Sequence, residues 1–233
     1  MSTSECSVIV MPIKDGLIRF QNQIFTSNSY VWTIPGTDAC VLIDPGLDGH
    51  NLDCYLEKQQ LHPELIVCTH GHFDHLGSVE LFQKKYQATC YLHHLDVKTS
   101  KSSNFLMMAC KIPAKIQIPS PDFLIDDGYA IPIGSSVLRF HHTPGHTPGS
   151  CFIELDDFIF SGDTLYKSSI GLVDLPGEDK EGLRKSILKM INKIPGNKLV
   201  CPGHGGAAPL ERIIDTNMDL RAFLGLTCPT EKH

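Results

Sequence analysis

The chain has 233 residues, 42% of them apolar, enough to bury a sizeable core as one large domain or two small ones. A formal net charge of −6 leaves no basic footprint for nucleic acid, and no segment approaches the roughly 20 consecutive apolar residues of a membrane span, so neither partner is expected. The nine cysteines are an odd number scattered without a CxxC pair, and Glu5 rather than a basic region precedes Val8, Ile9, Val10 and Met11; a cytoplasmic location with mostly buried, reduced thiols is the expectation.

Taken in order, the N-terminal stretch reads as four strands, at 8–10, 17–20, 29–34 and 40–43, with turn signals at Pro35-Gly36 and Pro45-Gly46. A helix is expected over 52–60, with Asp53 and Glu57 early and Lys58 late, as the helix dipole favours. A strand at 65–68, a helix at 77–86 and a strand at 89–93 follow. The region 96–127 has little periodicity. Its apolar patch, Phe105, Leu106, Met107, Met108 and Ala109, precedes Pro113, Pro119 and Pro121, which preclude long regular elements. The patch reads either as a short helix covering the core or as a pocket wall in which Phe105 and Met108 meet substrate. Strands at 130–133, 136–140, 151–155 and 158–161, a helix at 180–194, a strand at 198–201 and a helix at 209–224 complete the chain. Strands in a batch and then strand–helix alternation, given twice, predict two similar αβ halves packed sheet to sheet within a single domain spanning 1–233, with the helices outside.

The strand at 65–68 delivers Thr69-His70-Gly71-His72-Phe73-Asp74-His75, three imidazoles and a carboxylate within six positions. Neutral imidazole and ionised carboxylate are the ligands that suit zinc and its first-row neighbours. Alternate side chains of a strand point to opposite faces, so His70 and His72 can converge on one ion only where the strand ends and the backbone turns, which Gly71 would ease. Asp74 and His75, next along the loop, then point elsewhere and suggest a second ion. The plain alternative is a solvated histidine-rich loop.

Three further stretches share one grammar, in which an apolar run ends and a ligand type appears beside glycine: Thr143-Pro144-Gly145-His146-Thr147-Pro148-Gly149, Ser161-Gly162-Asp163-Thr164 and Cys201-Pro202-Gly203-His204-Gly205. The set His70, His72, Asp74, His75, His146, Asp163 and His204, in this order, resembles the metallo-β-lactamase superfamily. The stretches from Thr143 to Ser150, Gly162-Asp163-Thr164-Leu165, and Ser169-Ile170-Gly171 through Asp174-Leu175-Pro176-Gly177 are similar to its glyoxalase II-like (hydroxyacylglutathione hydrolase-like) members.

The resemblance implies an αββα four-layer sandwich and two divalent metal ions, zinc first, with iron or manganese as alternatives. It implies that His70, His72 and His146 hold one ion, that Asp74, His75 and His204 hold the other, and that Asp163 bridges them. Asp44 matches an acidic residue whose hydrogen bond to a ligand histidine fixes its tautomer, the alternative being a plain turn role. Two divalent ions facing two carboxylates and a hydroxide keep roughly one net positive charge, which suits hydroxide attack on a thioester carbonyl, with Asp74 orienting the nucleophile as the catalytic carboxylate.

Two departures bear on substrate. Full-length glyoxalase II enzymes carry a further C-terminal helical domain with basic residues for glutathione, whereas this sequence ends soon after Leu224, and Leu172 stands where they commonly have Arg or Lys. Lys167 is a candidate anion contact in its place, its alternative being a solvated surface lysine. A small-molecule thioester other than a glutathione conjugate is therefore expected. The competing readings are a mononuclear iron persulfide dioxygenase using His70, His146 and Asp163, a phosphodiesterase or lactonase on the same metals, and a non-catalytic binding module. An aspartate at the bridging position speaks against a β-lactamase.

Overall fold

The computed structural model describes residues 9–172 and 175–226, so Val8 of the first expected strand and Asp174 of the glyoxalase II-like stretch lie outside the described residues. Internal contacts divide the chain into two compact units, Met1–Ile125 and Asp126–His233.

The first unit is built on β1 (Ile9–Lys14), β2 (Leu17–Gln21), β3 (Asn28–Thr33), β4 (Ala39–Ile43), β5 (His62–Val67), β6 (Thr89–His93) and β7 (Phe123–Ile125), which lie in the sheet in chain order. The first four run antiparallel, and from β4 onward neighbours are parallel. Parallel pairing needs crossovers, supplied by α1 (Gly49–Gln59), by α2 (Phe73–Leu76) with α3 (Val79–Tyr86), and by a 3-10 turn (His94–Asp96) followed by α4 (Val97–Lys101) and α5 (Ser103–Ala109). β4 reads as an unbroken apolar run because all five of its residues are buried, as expected where a strand enters the parallel part of a sheet.

Several boundaries differ from the sequence expectation, each for a local reason. β5 begins at His62 rather than 65: Pro63 has no N–H to give the ladder, and the register shifts between Cys40 and Val41 instead of ending the pairing. The helix expected over 77–86 is α3, which starts at Val79, and a separate short helix, α2, precedes it. Gly77 is closed in by the Leu47 side chain and the Phe73 carbonyl, and Ser78 is tied to the Pro45-Gly46 turn by its N–H to Pro45 O (3.0 Å) and by its hydroxyl to Gly46 O. The apolar patch of the irregular region forms a short helix, α5, with Met107 buried at 0% exposure.

The second unit repeats the plan with β8 (Ala130–Ile133), β9 (Ser136–His142), β10 (Cys151–Leu155), β11 (Phe158–Gly162), β12 (Leu199–Pro202) and the short β13 (Ala208–Pro209). Its sheet order is β13-β12-β11-β10-β9-β8. β8 to β11 form an antiparallel meander, and β11 pairs parallel with β12 across α6 (Lys180–Lys193). The Asp179 side chain caps α6, accepting from the N–H groups of Glu181 (3.1 Å) and Gly182 (3.0 Å). The single helix expected over 209–224 is broken into α7 (Leu210–Thr216) and α8 (Met218–Leu224) by Asn217. Its backbone is extended, and its side-chain oxygen accepts the Leu220 N–H at 2.9 Å. An asparagine can cap a helix better than it continues one.

Each unit has its own apolar core. In the first, Leu42, Ile66, Phe82 and Leu92 of sheet and helix meet; in the second, Phe152, Ile187, Met190, Ile213 and Leu220 do. Each such side chain, fully buried, contributes about 1.5–3 kcal/mol of transfer free energy. The opposite faces of both sheets are buried as well, through Tyr30, Trp32, Val41 and Ile43 in the first and Phe140, Ile153 and Phe160 in the second.

The second unit also buries an imidazole beside charged groups. His141, at 0% exposure, has Nδ1 3.1 Å from the Lys193 ammonium and Nε2 2.7 Å from Glu154, which also pairs with Lys198. The ammonium can only donate, so Nδ1 accepts and the imidazole is the neutral Nε2–H form. Burial and the Lys193 charge push the His141 pKa below its ordinary 6.5, against the pull of Glu154. Burial alone would raise the Glu154 carboxyl, but hydrogen bonds from Lys198 and His141 outweigh it and hold that pKa below the ordinary value.

Because the folded state depresses the His141 pKa, the unfolded chain binds the proton more readily. The stability this histidine contributes is therefore complete above pH 6.5 and lost as pH falls from there through the lowered folded value. Urea midpoints at pH 7.5 and 5.5 should fall further for the wild type than for His141→Gln. An equal fall in both would remove His141 from the account.

Candidate metal centre

In both units the candidate ligands stand where strands end. In the first, Asp44 follows β4 with a φ of 52°, a left-handed conformation that costs a residue with a Cβ about 1–2 kcal/mol. The strain is held by the hydrogen bonds of its carboxylate. Oδ1 accepts the Thr69 N–H at 2.7 Å, and Oδ2 accepts the Thr69 hydroxyl at 2.6 Å and faces His75 Nδ1 at 3.1 Å.

These contacts decide which ring nitrogens carry protons. A carboxylate accepts, so His75 is protonated at Nδ1 and its Nε2 keeps the lone pair. The one hydroxyl proton of Thr69 goes to Asp44; toward His70 Nδ1, 3.1 Å away, Thr69 therefore accepts, and His70 too carries its proton on Nδ1. Both imidazoles are thus in the tautomer a metal ligand needs. Asp44, His70 and His75 bring ligand-type atoms within 4.8 Å of one another. The His72 ring lies 4.9 Å from that of His70 and nearly perpendicular to it, and Asp74 Oδ2 is 3.3 Å from His75 Nε2.

Two sequence expectations are corrected here. Asp74 and His75 are not on the loop but on α2, whose N-cap is His72. Gly71 is required by close approach rather than for turning: its φ is not positive, and a Cβ there would stand 2.7 Å from Asp96 O and 3.1 Å from Ser100 N.

In the second unit His146 lies in the loop after β9, fixed by Thr143 N–H to Ser150 O (2.8 Å) and Asp179 N–H to Gly145 O (2.7 Å). Gly145, at φ 146°, has the α6 backbone at Leu183 where a side chain would be. His146 Nδ1 donates to Gly171 O at 3.0 Å, which again leaves the lone pair on Nε2. Asp163 follows β11, and its Oδ2 stands 3.6 Å from His146 Nε2 and 3.3 Å from His204 Nε2, so one carboxylate oxygen faces two imidazole nitrogens. The donor set in each unit, with imidazole tautomers fixed from behind and carboxylate oxygens beside them, fits divalent metal.

The weaker substrate candidates separate. Lys167 is exposed, and Leu172 is half-buried, packing against the second core. Phe105 and Met108 are exposed on α5.

Residues the sequence reading passed over support the ligands. Asp96, fully buried, accepts the Gly71 N–H at 2.7 Å. The Ser27 hydroxyl donates to Asp74 O and that of Ser29 to Asp44 O, both at 2.6 Å, and Asn22 donates to both of these serines. Glu178 reaches to 3.7 Å from His146 Nδ1. The Asn217 amide donates to Tyr166 O and Ser169 O, tying α8 to the segment after Asp163. Only Asn217 left a local signal, an asparagine two residues before Asp219.

The chain matches the family model described as metallo-β-lactamase superfamily over residues 23–204. It is 32% identical over 192 residues to a protein of Bacillus subtilis named probable metallo-hydrolase YqgX, covering 80% of this chain and 89% of that one. It is 30% identical over 179 residues to the hydroxyacylglutathione hydrolase of Salmonella paratyphi C, covering 76% of this chain and 62% of the other. Among solved structures it resembles that of the BLEG-1 B3 metallo-β-lactamase, with a TM-score of 0.78 and 30% identity, over 88% of this chain and 99% of that one. The chain belongs to the metallo-β-lactamase superfamily and has its fold, a mixed α/β arrangement of two sheets with helices. The superfamily binds divalent metals, and metal-dependent hydrolase is the class that this membership supports. Among the described residues no helix is long and apolar enough to cross a membrane.

Proposed function

We propose that the protein is a dinuclear metal-dependent hydrolase that cleaves small acyl thioesters. The observation that carries this reading is Asp163 Oδ2 between His146 Nε2 and His204 Nε2 at 3.6 and 3.3 Å. In the family pattern those histidines serve different ions, and a carboxylate facing both suits a bridging ligand. His70, His72 and His146 would hold one ion and Asp74, His75 and His204 the other. Bound there, the ions supply an activated hydroxide at neutral pH and a positive field for an oxyanion. Asp74 orients the nucleophile, and Asp44 with Thr69 holds His70 and His75 in the ligating tautomer. Similarity to a protein named hydroxyacylglutathione hydrolase supports a thioester substrate. Leu172, packed against the second core, offers no cation where such hydrolases have one, so the glutathione part is expected to add little.

Plasma emission spectroscopy should find two ions per chain, zinc foremost. Steady-state kinetics should show turnover of simple acyl thioesters with poor saturation by lactoylglutathione. A single iron with no second metal after zinc supplementation, together with oxygen-dependent persulfide consumption, would overturn this in favour of the dioxygenase. Faster turnover of a cephalosporin would overturn it in favour of the activity named for the BLEG-1 structure.

A further inference from the structure

We infer that a groove on the first unit, between α5 and the turn at 111–115, holds the phosphorylated arm of the substrate's thiol carrier, which makes the substrate a coenzyme-A-type thioester; this rests on the thioesterase reading above. α5 turns Phe105 and Met108 outward, at 70% and 66% exposure, while Met107 between them is fully buried. Residues three apart share one helix face, so the two form a continuous apolar surface. Beside it lies a cavity of about 600 Å³, bounded also by Asn104, Lys111, Ile112 and Lys115. That volume falls within the range of small-molecule sites, roughly 300–1,000 Å³.

The groove is preformed. The Asn104 side chain clamps Ile116 from both sides, donating to its carbonyl at 3.0 Å and accepting its N–H at 2.9 Å. Lys111 N–H and Ile112 N–H return to Met108 O (3.0 Å) and Met107 O (2.9 Å). Walls fixed in this way need little ordering when a ligand binds. The groove also shares a scaffold with the ligand loop. α5 packs on α2, which carries Asp74 and His75, and the Ile116 side chain lies 3.4 Å from where a Cβ on Gly77 would stand, one residue past α2.

The lining specifies the occupant. An apolar floor flanked by two ammonium groups, in a chain of net charge −6, selects an elongated molecule that carries apolar groups along its length and anionic ones at one end. An alkyl chain would leave the lysines unused, and a tripeptide thiol has carboxylates without the apolar length. A carrier borne on a protein would require about 800 Å² of surface on each side, more than a groove bounded by one short helix and one turn provides. A free, phosphate-bearing, amide-linked thiol meets both demands.

Calorimetric titration with desulfo-coenzyme A, which has no thiol to reach a metal, tests the groove without turnover. The wild type should bind it, more weakly as salt rises. Lys111→Glu/Lys115→Glu should weaken binding by about tenfold or more, a 1.4 kcal/mol change, and remove or reverse its weakening by salt. Phe105→Ser/Met108→Ser should weaken it with the salt dependence retained. The lysine variant should not alter turnover of an acyl-N-acetylcysteamine thioester, which lacks the arm, and circular dichroism shows that both double variants are folded. No binding by the wild type, or equal binding by the variants, would overturn the groove assignment while thioester turnover still supports the hydrolase. Binding as expected with no thioester turnover in the wild type would overturn the hydrolase and leave the groove as a site for this ligand class.

Discussion

Gly171→Ala is expected to disperse the second unit's ligands, with metal affinity reduced by 100-fold or more and a lowered melting temperature. A Cβ built on Gly171 falls onto the backbone carbonyl of Asp163, so backbone meets backbone and no side-chain rotation relieves the contact. The segment cannot swing aside cheaply, because Leu165 and Ile170 pair across it as a β-bridge and Asn217 holds the carbonyls of Tyr166 and Ser169. Displacing Gly171 also moves its own carbonyl, which accepts from His146 Nδ1 and sets that imidazole's tautomer. One methyl group therefore disturbs Asp163 and His146 together, where overpacking elsewhere in a core typically costs about 1–3 kcal/mol. Metal content after dialysis and the thermal midpoint check this. Retention of both ions at the wild-type midpoint would show that the close approach is not needed.

Most of the candidate ligands were legible in the sequence because a local rule places them: an apolar strand runs out beside a glycine, and a histidine or aspartate stands at the end of the run, whereas Asp74 and His75 are carried by α2. Asp163 after β11 and His204 after β12 are found this way without knowledge of any contact. What sets the ligands in place was not legible, because those contacts join distant parts of the chain. Asp96 meets Gly71 across 25 positions and Ser27 meets Asp74 across 47, and neither pair leaves a periodic trace. Gly71 shows the limit well: its place beside the histidines is plain in the sequence, but its reason, the Asp96 carbonyl close to where a Cβ would stand, exists only once the helices are packed. Helix ends were misread for a related reason. Ser78 ends the helical run through hydrogen bonds to the distant Pro45-Gly46 turn, about which helix propensity carries no information, whereas Asn217 caps α8 locally and its preference for a cap over a helix interior is the one signal of that break in the sequence.

Asp44→Asn is expected to weaken zinc binding by about 10–100-fold while preserving the shape of the side chain. The two carboxylate oxygens are both acceptors in use, and an amide can replace only one of them. If the amide nitrogen takes the Oδ1 place, two donors face each other at the Thr69 N–H, 2.7 Å away in the wild type, a buried mismatch costing about 1–3 kcal/mol. If it takes the Oδ2 place, it donates to the Thr69 hydroxyl. The hydroxyl proton must then turn toward His70 Nδ1, driving the His70 proton onto Nε2, and His75 Nδ1–H is left opposing an N–H and is driven the same way. The first orientation keeps both tautomers but sets two buried donors against each other beside them, and the second removes the ligating lone pair from both imidazoles. Asp44→Ala, by contrast, clears the space and lets water enter without imposing a wrong proton. Competition of each variant with a zinc chelator therefore separates two accounts. Asparagine as harmful as alanine, or more so, supports tautomer control by Asp44, whereas asparagine near wild type with alanine alone impaired would mean that Asp44 only fills its place after β4.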